Sequence, residues 1–274
     1  MPAIQSLKKQ LKGILSTKKL TNAMKTVSTV KFSKLNSVFG EYSEYSRACQ
    51  RVLEIFGKEL LTEVSEADSS APQAVIIIAS NKGLCGNFNS ELLNYALEQL
   101  GKFKSPYVYA CGKKAISFLR SKNITLNKEI VFDDIPDYTE VSAIFDELIQ
   151  LRKSGEISKV YIIYSSYKNM MLQKPVCVDF FNVENGENES SVLFVPNKQI
   201  ITQEVSKSVF KAMFYEKVLE SAIGAQASTL MTMRSAYDTA TEYAENLEKE
   251  INRLRQGAVT ADVIETSAER EVKK

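Results

Sequence analysis

The 274-residue sequence contains no histidine. That excludes every Ser-His and Cys-His nucleophile pair, along with most zinc and copper sites, because those chemistries lean on imidazole. Proline is scarce, at six residues, and unevenly placed. None falls between Pro2 and Pro72, and none follows Pro196. A proline costs a helix interior about 3 kcal/mol, so both ends of the chain are open to very long helices. The four cysteines, Cys49, Cys85, Cys111 and Cys177, are far apart and form no Cys-x-x-Cys pair. They read as reduced, partly buried thiols rather than a disulfide frame. No apolar run approaches the roughly 20 residues that span a bilayer. Acidic residues are missing from the start: Lys8, Lys9, Lys12, Lys18, Lys19, Lys25, Lys31 and Lys34 all precede Glu41. This start could pass for a transit peptide, but it has no arginine before Arg47. Its apolar spacing (Ile4, Leu7, Leu11, Ile14) also begins at once, so it is read as mature helix. The net charge of +2 is too small for a polycation, so no nucleic-acid partner is expected for the molecule as a whole.

What is present is periodicity. In the first arm Leu35, Val38, Tyr42, Tyr45, Cys49, Val52 and Phe56 alternate spacings of three and four. In the last arm Leu230, Met233, Tyr237, Ala240, Ala244, Leu247, Ile251, Leu254 and Ala258 do the same. A sustained 3/4 alternation averages 3.5 residues and imposes a left-handed supercoil. The first arm is expected over residues 1–62. Its opening third holds small and polar residues (Ser16, Thr17, Thr21, Ala23, Thr26, Ser28, Thr29), with Leu20, Met24 and Val27 as its main apolar positions. The last arm is expected over residues 201–274, on the order of 100 Å long at 1.5 Å per residue. The arms enter and leave the middle of the chain in opposite senses, so the coiled coil they form is antiparallel.

Residues 73–200 read as a central α/β domain after a polar linker at 63–72. The run Ala74–Ala79 is continuously apolar and β-branched, as in a strand buried on both faces. Helix over 90–100, strand over 106–111, helix over 112–121, helix over 139–153 and strand over 159–164 follow. Strands alternating with helices imply parallel βαβ units and a Rossmann-like, mainly parallel sheet. Two further strands, 175–181 and 191–195, are expected to pair as an antiparallel hairpin through the polar turn at 184–188.

The loop Lys82-Gly83-Leu84-Cys85-Gly86-Asn87 lies between a strand and a helix, where many α/β folds bind phosphates. It matches neither G-x-G-x-x-G nor G-x-x-x-x-G-K-[ST], so a tight turn needing glycine is the favoured reading. Cys85 has no histidine to activate it as a nucleophile. The lysine-rich start suits acidic lipid, nucleic acid, an acidic protein cavity or plain water. Arg253 and Arg255 flank the seam position Leu254, with Gln256 beside them, and a solvated face is the default there.

Taken together, these segments resemble the gamma subunit of the F-type ATP synthase over essentially the whole length. The resemblance rests on residues 14–31 (ILSTKKLTNAMKTVSTVK), 80–89 (SNKGLCGNFN) and 164–175, with Asn169, Met171, Gln173 and Pro175. It rests also on 220–236 and on the Asn-Arg-x-Arg-Gln element at 252–256. Asn81 stands where that family usually has aspartate, Gly224-Ala225-Gln226 where Ala-Ser-Glu is usual, and Leu230 where arginine is common. The cysteine-bearing segment of chloroplast relatives is absent.

The resemblance implies a non-catalytic rotor shaft without cofactor or metal, one copy per complex. Its partners would be the alpha and beta subunits, the epsilon subunit and the membrane proteolipid ring, driven by protons or sodium ions. It would lie at the cytoplasmic face of a bacterial membrane. It further implies ring contacts at Met24, Lys25, Arg253, Arg255 and Gln256, with Met24 and Lys25 close to the region of Arg255. The loop Gly83, Leu84, Cys85 and Gly86 would belong to the foot, and the early lysines would face acidic loops of the ring. Two rival readings differ in class. One is an α/β nucleotide- or metabolite-binding enzyme dimerised through its terminal coil. The other is a coiled-coil scaffold or membrane-surface adaptor.

Overall fold

Both arms are single helices in the computed structural model, which describes residues 2–56, 71–182 and 198–272. Helix α1 spans Pro2–Phe56, 55 residues without a break. Between the arms come β1 (Ala74–Ile78), α2 (Phe88–Leu100), β2 (Tyr107–Cys111), α3 (Lys113–Ser121) and β3 (Lys128–Ile130). Then follow α4 (Tyr138–Lys153), β4 (Val160–Asn169), β5 (Leu172–Asp179) and the 75-residue α5 (Lys198–Val272). The chain divides into two units. One joins residues 28–229, and the other joins the first 27 residues to residues 230–274.

In the larger unit the five strands order as β3-β2-β1-β4-β5. The first four are parallel, and β5 runs antiparallel to β4. Every residue of β1 is buried, which follows from helices covering both faces. Ala74, Ile76 and Ile78 face a core built with α1, α4 and α5, while Val75 and Ile77 face α2 and α3. Asp137 caps α4 by accepting from the Thr139 amide at 3.0 Å. Gly112 opens α3 at φ +94°, and a Cβ there would lie 2.2 Å from the Ala79 carbonyl oxygen. Only glycine lets β1 and the start of α3 approach so closely.

Three sequence expectations change here. The antiparallel hairpin is β4–β5, turning at Met170 and Met171, so the strand expected from Pro175 begins at Leu172 and pairs backward. Its expected partner at 191–195 and the turn at 184–188 lie outside the described residues, as does most of the 63–72 linker. The short β3 was not anticipated: it is three residues long, carries Lys128 and Glu129, and joins the edge of β2. On α1 the buried seam position after Tyr42 is Ser46, fully enclosed, whereas Tyr45 is 49% exposed.

In the smaller unit α1 and α5 wind as an antiparallel pair. The α5 seam is the expected one through Met233, Ala240, Ala244, Leu247 and Ile251, all buried, but Leu254 is 38% exposed. Opposite it, α1 turns inward along Ile4, Leu7, Leu11, Ile14, Lys18, Thr21 and Lys25, of which only Thr21 is buried. Leu20 and Val27, expected as main apolar positions, instead face outward. Thr21 can take the seam because its hydroxyl donates back to the carbonyls of Thr17 and Lys18, both at 3.1 Å.

Candidate contact sites on the coil and the loop after β1

Helical period places Lys18 and Lys25 one heptad apart on the same face of α1, toward α5. Tyr237 of α5 answers both: the Lys25 ammonium lies 4.2 Å from its ring centroid and that of Lys18 5.5 Å. These are cation–π distances, so the ring gives two like charges one shared counterpart. Met24, next in sequence, is half-buried. Arg253, Arg255 and Gln256 are all exposed, and the Gln256 carbonyl accepts from Thr260 Oγ1 at 2.9 Å. Arg255 follows Tyr237 by eighteen residues, roughly 27 Å along the helix. The structure therefore brings Lys25 to Tyr237 and does not bring it to Arg255. The expected proximity of those two groups is corrected by simple helix geometry.

The loop after β1 belongs to the larger unit. Leu84 (φ 64°) and Gly86 (φ 57°) both adopt left-handed conformations. Cys85 between them is buried, while Leu84 is 59% exposed. Asn89, in the first turn of α2, staples the loop shut: its Nδ2 donates to Ser80 Oγ (2.8 Å), to the Lys82 carbonyl (3.2 Å) and to Cys85 Sγ (2.9 Å). Its Oδ1 accepts from the Ser80 amide at 3.2 Å. From α5, Ser228 Oγ donates to the Cys85 carbonyl at 2.7 Å. The Lys82 ammonium is committed to Asp134 at 3.0 Å. The side chains of Ser80, Lys82 and Asn89 and the Cys85 carbonyl are thus engaged within the loop, with Asp134 and with α5, as in a tight structural turn.

Asp134 also pairs with Lys31, so at least one of the early lysines is held by its own chain. Burial alone would raise the Asp134 carboxyl, but hydrogen bonds and charge from Lys31 and Lys82 outweigh it and hold the group below its ordinary value. Asn81 uses both ends of its amide, accepting from the Lys113 amide at the start of α3 (3.2 Å) and donating to the Phe132 carbonyl. An aspartate there could accept but not donate, which gives the departure at Asn81 a local reason. The segment at 164–175 is likewise architectural. Asn169 Oδ1 accepts from the amides of Met171 and Leu172, both at 2.9 Å, and Gln173 Nε2 donates to the carbonyls of Asn169 (2.8 Å) and Met170 (2.9 Å). These bonds close the β4–β5 turn and leave Met171 81% exposed at its tip. Lys31 with Asp134, and the role of Tyr237 as a cation acceptor, were not visible beforehand because both depend on contacts distant in sequence.

A family model described as ATP synthase matches residues 3–268. The chain belongs to the ATP synthase gamma family. Among curated relatives, the ATP synthase gamma chain of Rubrobacter xylanophilus is 27% identical over 284 residues, covering 98% of this chain and 97% of the relative. That of Mycoplasma mycoides subsp. mycoides SC is 28% identical over 281 residues, covering 97% of each. The rotor of the Euglena gracilis mitochondrial ATP synthase in rotational state 1 shares the fold, with a TM-score of 0.63 at 13% identity. That alignment covers 94% of this chain and 99% of the other. Like other gamma-family chains this one is a non-catalytic subunit of its complex. Among its described residues no helix is long and apolar enough to cross a membrane.

Proposed function

We propose that this chain is the central-stalk rotor subunit of an ATP synthase, passing torque between a membrane-embedded proteolipid ring and a catalytic ring of alternating alpha and beta subunits. The observation that carries the reading is one chain joining terminal helices of 55 and 75 residues to a Rossmann-like sheet, within an ATP synthase family match over residues 3–268. Residues 1–62 and 201–274 form the arms and 73–200 the base, with the epsilon subunit beside the base. One copy serves each complex, at the cytoplasmic face of a bacterial membrane, with protons or sodium ions as the coupling ion. Arg253, Arg255 and Gln256 suit a ring contact because all three are exposed on α5. Met24 and Lys25 form a second contact, set by the Tyr237 ring. Charge complementarity with acidic loops would guide such contacts without gripping one angular position.

Affinity purification of a tagged chain from its native cell tests the reading. It should bring down a hexameric P-loop ATPase, while the chain alone hydrolyses no ATP above background. Recovery of the chain without that ATPase, from cells that express one, overturns it.

A further inference from the structure

In the larger unit, the buried stretch of α5 carries a cluster of three charged residues: Glu216, Lys217 and Glu220. Their side chains are 12%, 20% and 11% exposed. The Lys217 ammonium lies 3.3 Å from Glu216 Oε2 and 3.6 Å from Glu220 Oε2, and 5.7 Å from the centre of the Tyr164 ring. Each carboxylate also holds a different neighbouring element. Glu216 Oε2 accepts from Ser46 Oγ of α1 at 2.8 Å, and Ser46 is fully enclosed. Glu220 Oε1 accepts from Ser166 Oγ (2.7 Å) and from the Tyr167 amide (2.9 Å), both on β4. Burial would push the Lys217 ammonium down, but the Tyr164 hydroxyl and the two carboxylates outweigh it and hold it above the ordinary lysine value.

Stability alone does not account for this arrangement. Val209, Phe210, Phe214, Val218 and Leu219 of the same helix fill the neighbouring core with apolar groups. Replacing buried ion clusters by such groups is often neutral or stabilising, because desolvation offsets much of the attraction. Charged hydrogen bonds provide direction instead. Apolar contact is non-directional and resists a helix turning about its own axis only through shape, whereas hydrogen bonds fail as their angles open. At about 100° per residue, Glu216 and Lys217 are a quarter-turn apart on α5 and Glu220 falls between them. One carboxylate pulls toward α1 and the other toward β4. Two further ties extend the spread: Tyr215 donates to the Pro136 carbonyl (2.9 Å) and Ser221 to the Ile78 carbonyl (2.9 Å). Rotation of α5 in either sense breaks bonds on one side.

We propose that the Glu216–Lys217–Glu220 cluster is the joint that locks α5 rotationally to the sheet and to α1, with Lys217 as its positioning residue. The joint passes rotation of the base into α5 without slip, and it rests on the rotor reading above. Glu216 and Glu220 cannot both remain buried and charged without the cation between them, so removing it loosens both ties together.

The test uses the whole complex in vesicles, with a potential-sensitive dye that reports either coupling ion. In Lys217→Met, ATP hydrolysis stays within about twofold of the parent, while charge moved per ATP against an established potential falls about fivefold or more. The deficit grows with the opposing potential, because slip depends on load. A purely structural role would instead lower the thermal midpoint of the complex and leave charge per ATP unchanged at every potential, and that result overturns the proposal. If Lys217→Met does not assemble, Glu220→Gln serves in its place. It keeps an oxygen for Ser166 and Tyr167 and removes the charge facing Lys217, and unchanged charge per ATP in that variant also overturns the joint. A parent chain that enters no ATPase complex refutes the rotor reading and the joint together, whereas a coupled parent with an equally coupled variant refutes the joint alone.

Discussion

The ammonium of Lys25 sits 4.2 Å from the centre of the Tyr237 ring, and Lys18, one heptad earlier, shares the same ring at 5.5 Å. Two cations on one ring make Tyr237 the local organiser of a seam with few large apolar side chains. Tyr237→Phe keeps the ring face and should leave urea stability unchanged within about 0.5 kcal/mol. Tyr237→Ala removes both contacts and should cost about 1–2 kcal/mol. Equal losses in the two variants would show that the hydroxyl, not the ring, carries the interaction.

Arg255 and Gln256 are exposed on α5, so replacing both by alanine should leave the unfolding midpoint of the isolated chain within about 0.5 kcal/mol of the parent. ATP-driven ion pumping or assembly of the complex should nonetheless weaken. Unaltered pumping by the double variant would remove these residues from the contact surface.

Gly112→Ala is expected to cost about 3 kcal/mol or more, since its Cβ would overlap the Ala79 carbonyl and the backbone is left-handed. Both obstacles are backbone, and no rotamer change relieves them. Soluble yield and the urea midpoint report the effect. A midpoint shift under about 0.5 kcal/mol would mean that β1 and α3 separate more readily than their geometry indicates.

Asp134 links Lys31 of α1 to Lys82 of the loop, and its carboxyl is held below the ordinary value. A depressed carboxylate contributes stability above its unfolded pKa and loses it as pH falls through the folded one. Asp134→Asn should therefore cost on the order of 1 kcal/mol at pH 7. The gap between parent and variant should close on acidification below the normal carboxylate range. Parallel pH–stability curves would contradict the pairing.

Period and composition made much of this fold legible. Proline-free arms became α1 and α5, and the β-branched run Ala74–Ile78 became the central strand, because continuous burial leaves a continuous apolar signal. The errors share a cause. Tyr42 to Tyr45 and Tyr42 to Ser46 are both permitted helical steps, and apolarity favoured the tyrosine. Glu216, 170 residues away, gives Ser46 its buried partner, and no local pattern carries that contact. Leu20 and Val27 misled in the same way, since the inward face of α1 there holds Thr21, which satisfies its own hydroxyl, and Lys18 and Lys25, which meet an aromatic ring. The β3 strand is an edge of three residues, too short for alternation to register. At the candidate sites the residue types were readable, but not which level of α5 Lys25 meets.

Gly224 constrains how this sequence can change over time. A Cβ at that position would lie 3.3 Å from Phe88 Cε2 and 3.4 Å from Gln173 Cγ, so one site on α5 is hemmed in by α2 and by the β4–β5 hairpin at once. An alanine at this position needs Phe88 to give by a few tenths of an ångström, while Gln173 stays at ordinary contact distance. Tolerance of a larger residue at 224 is therefore set outside α5, by how far α2 and the β4–β5 hairpin yield.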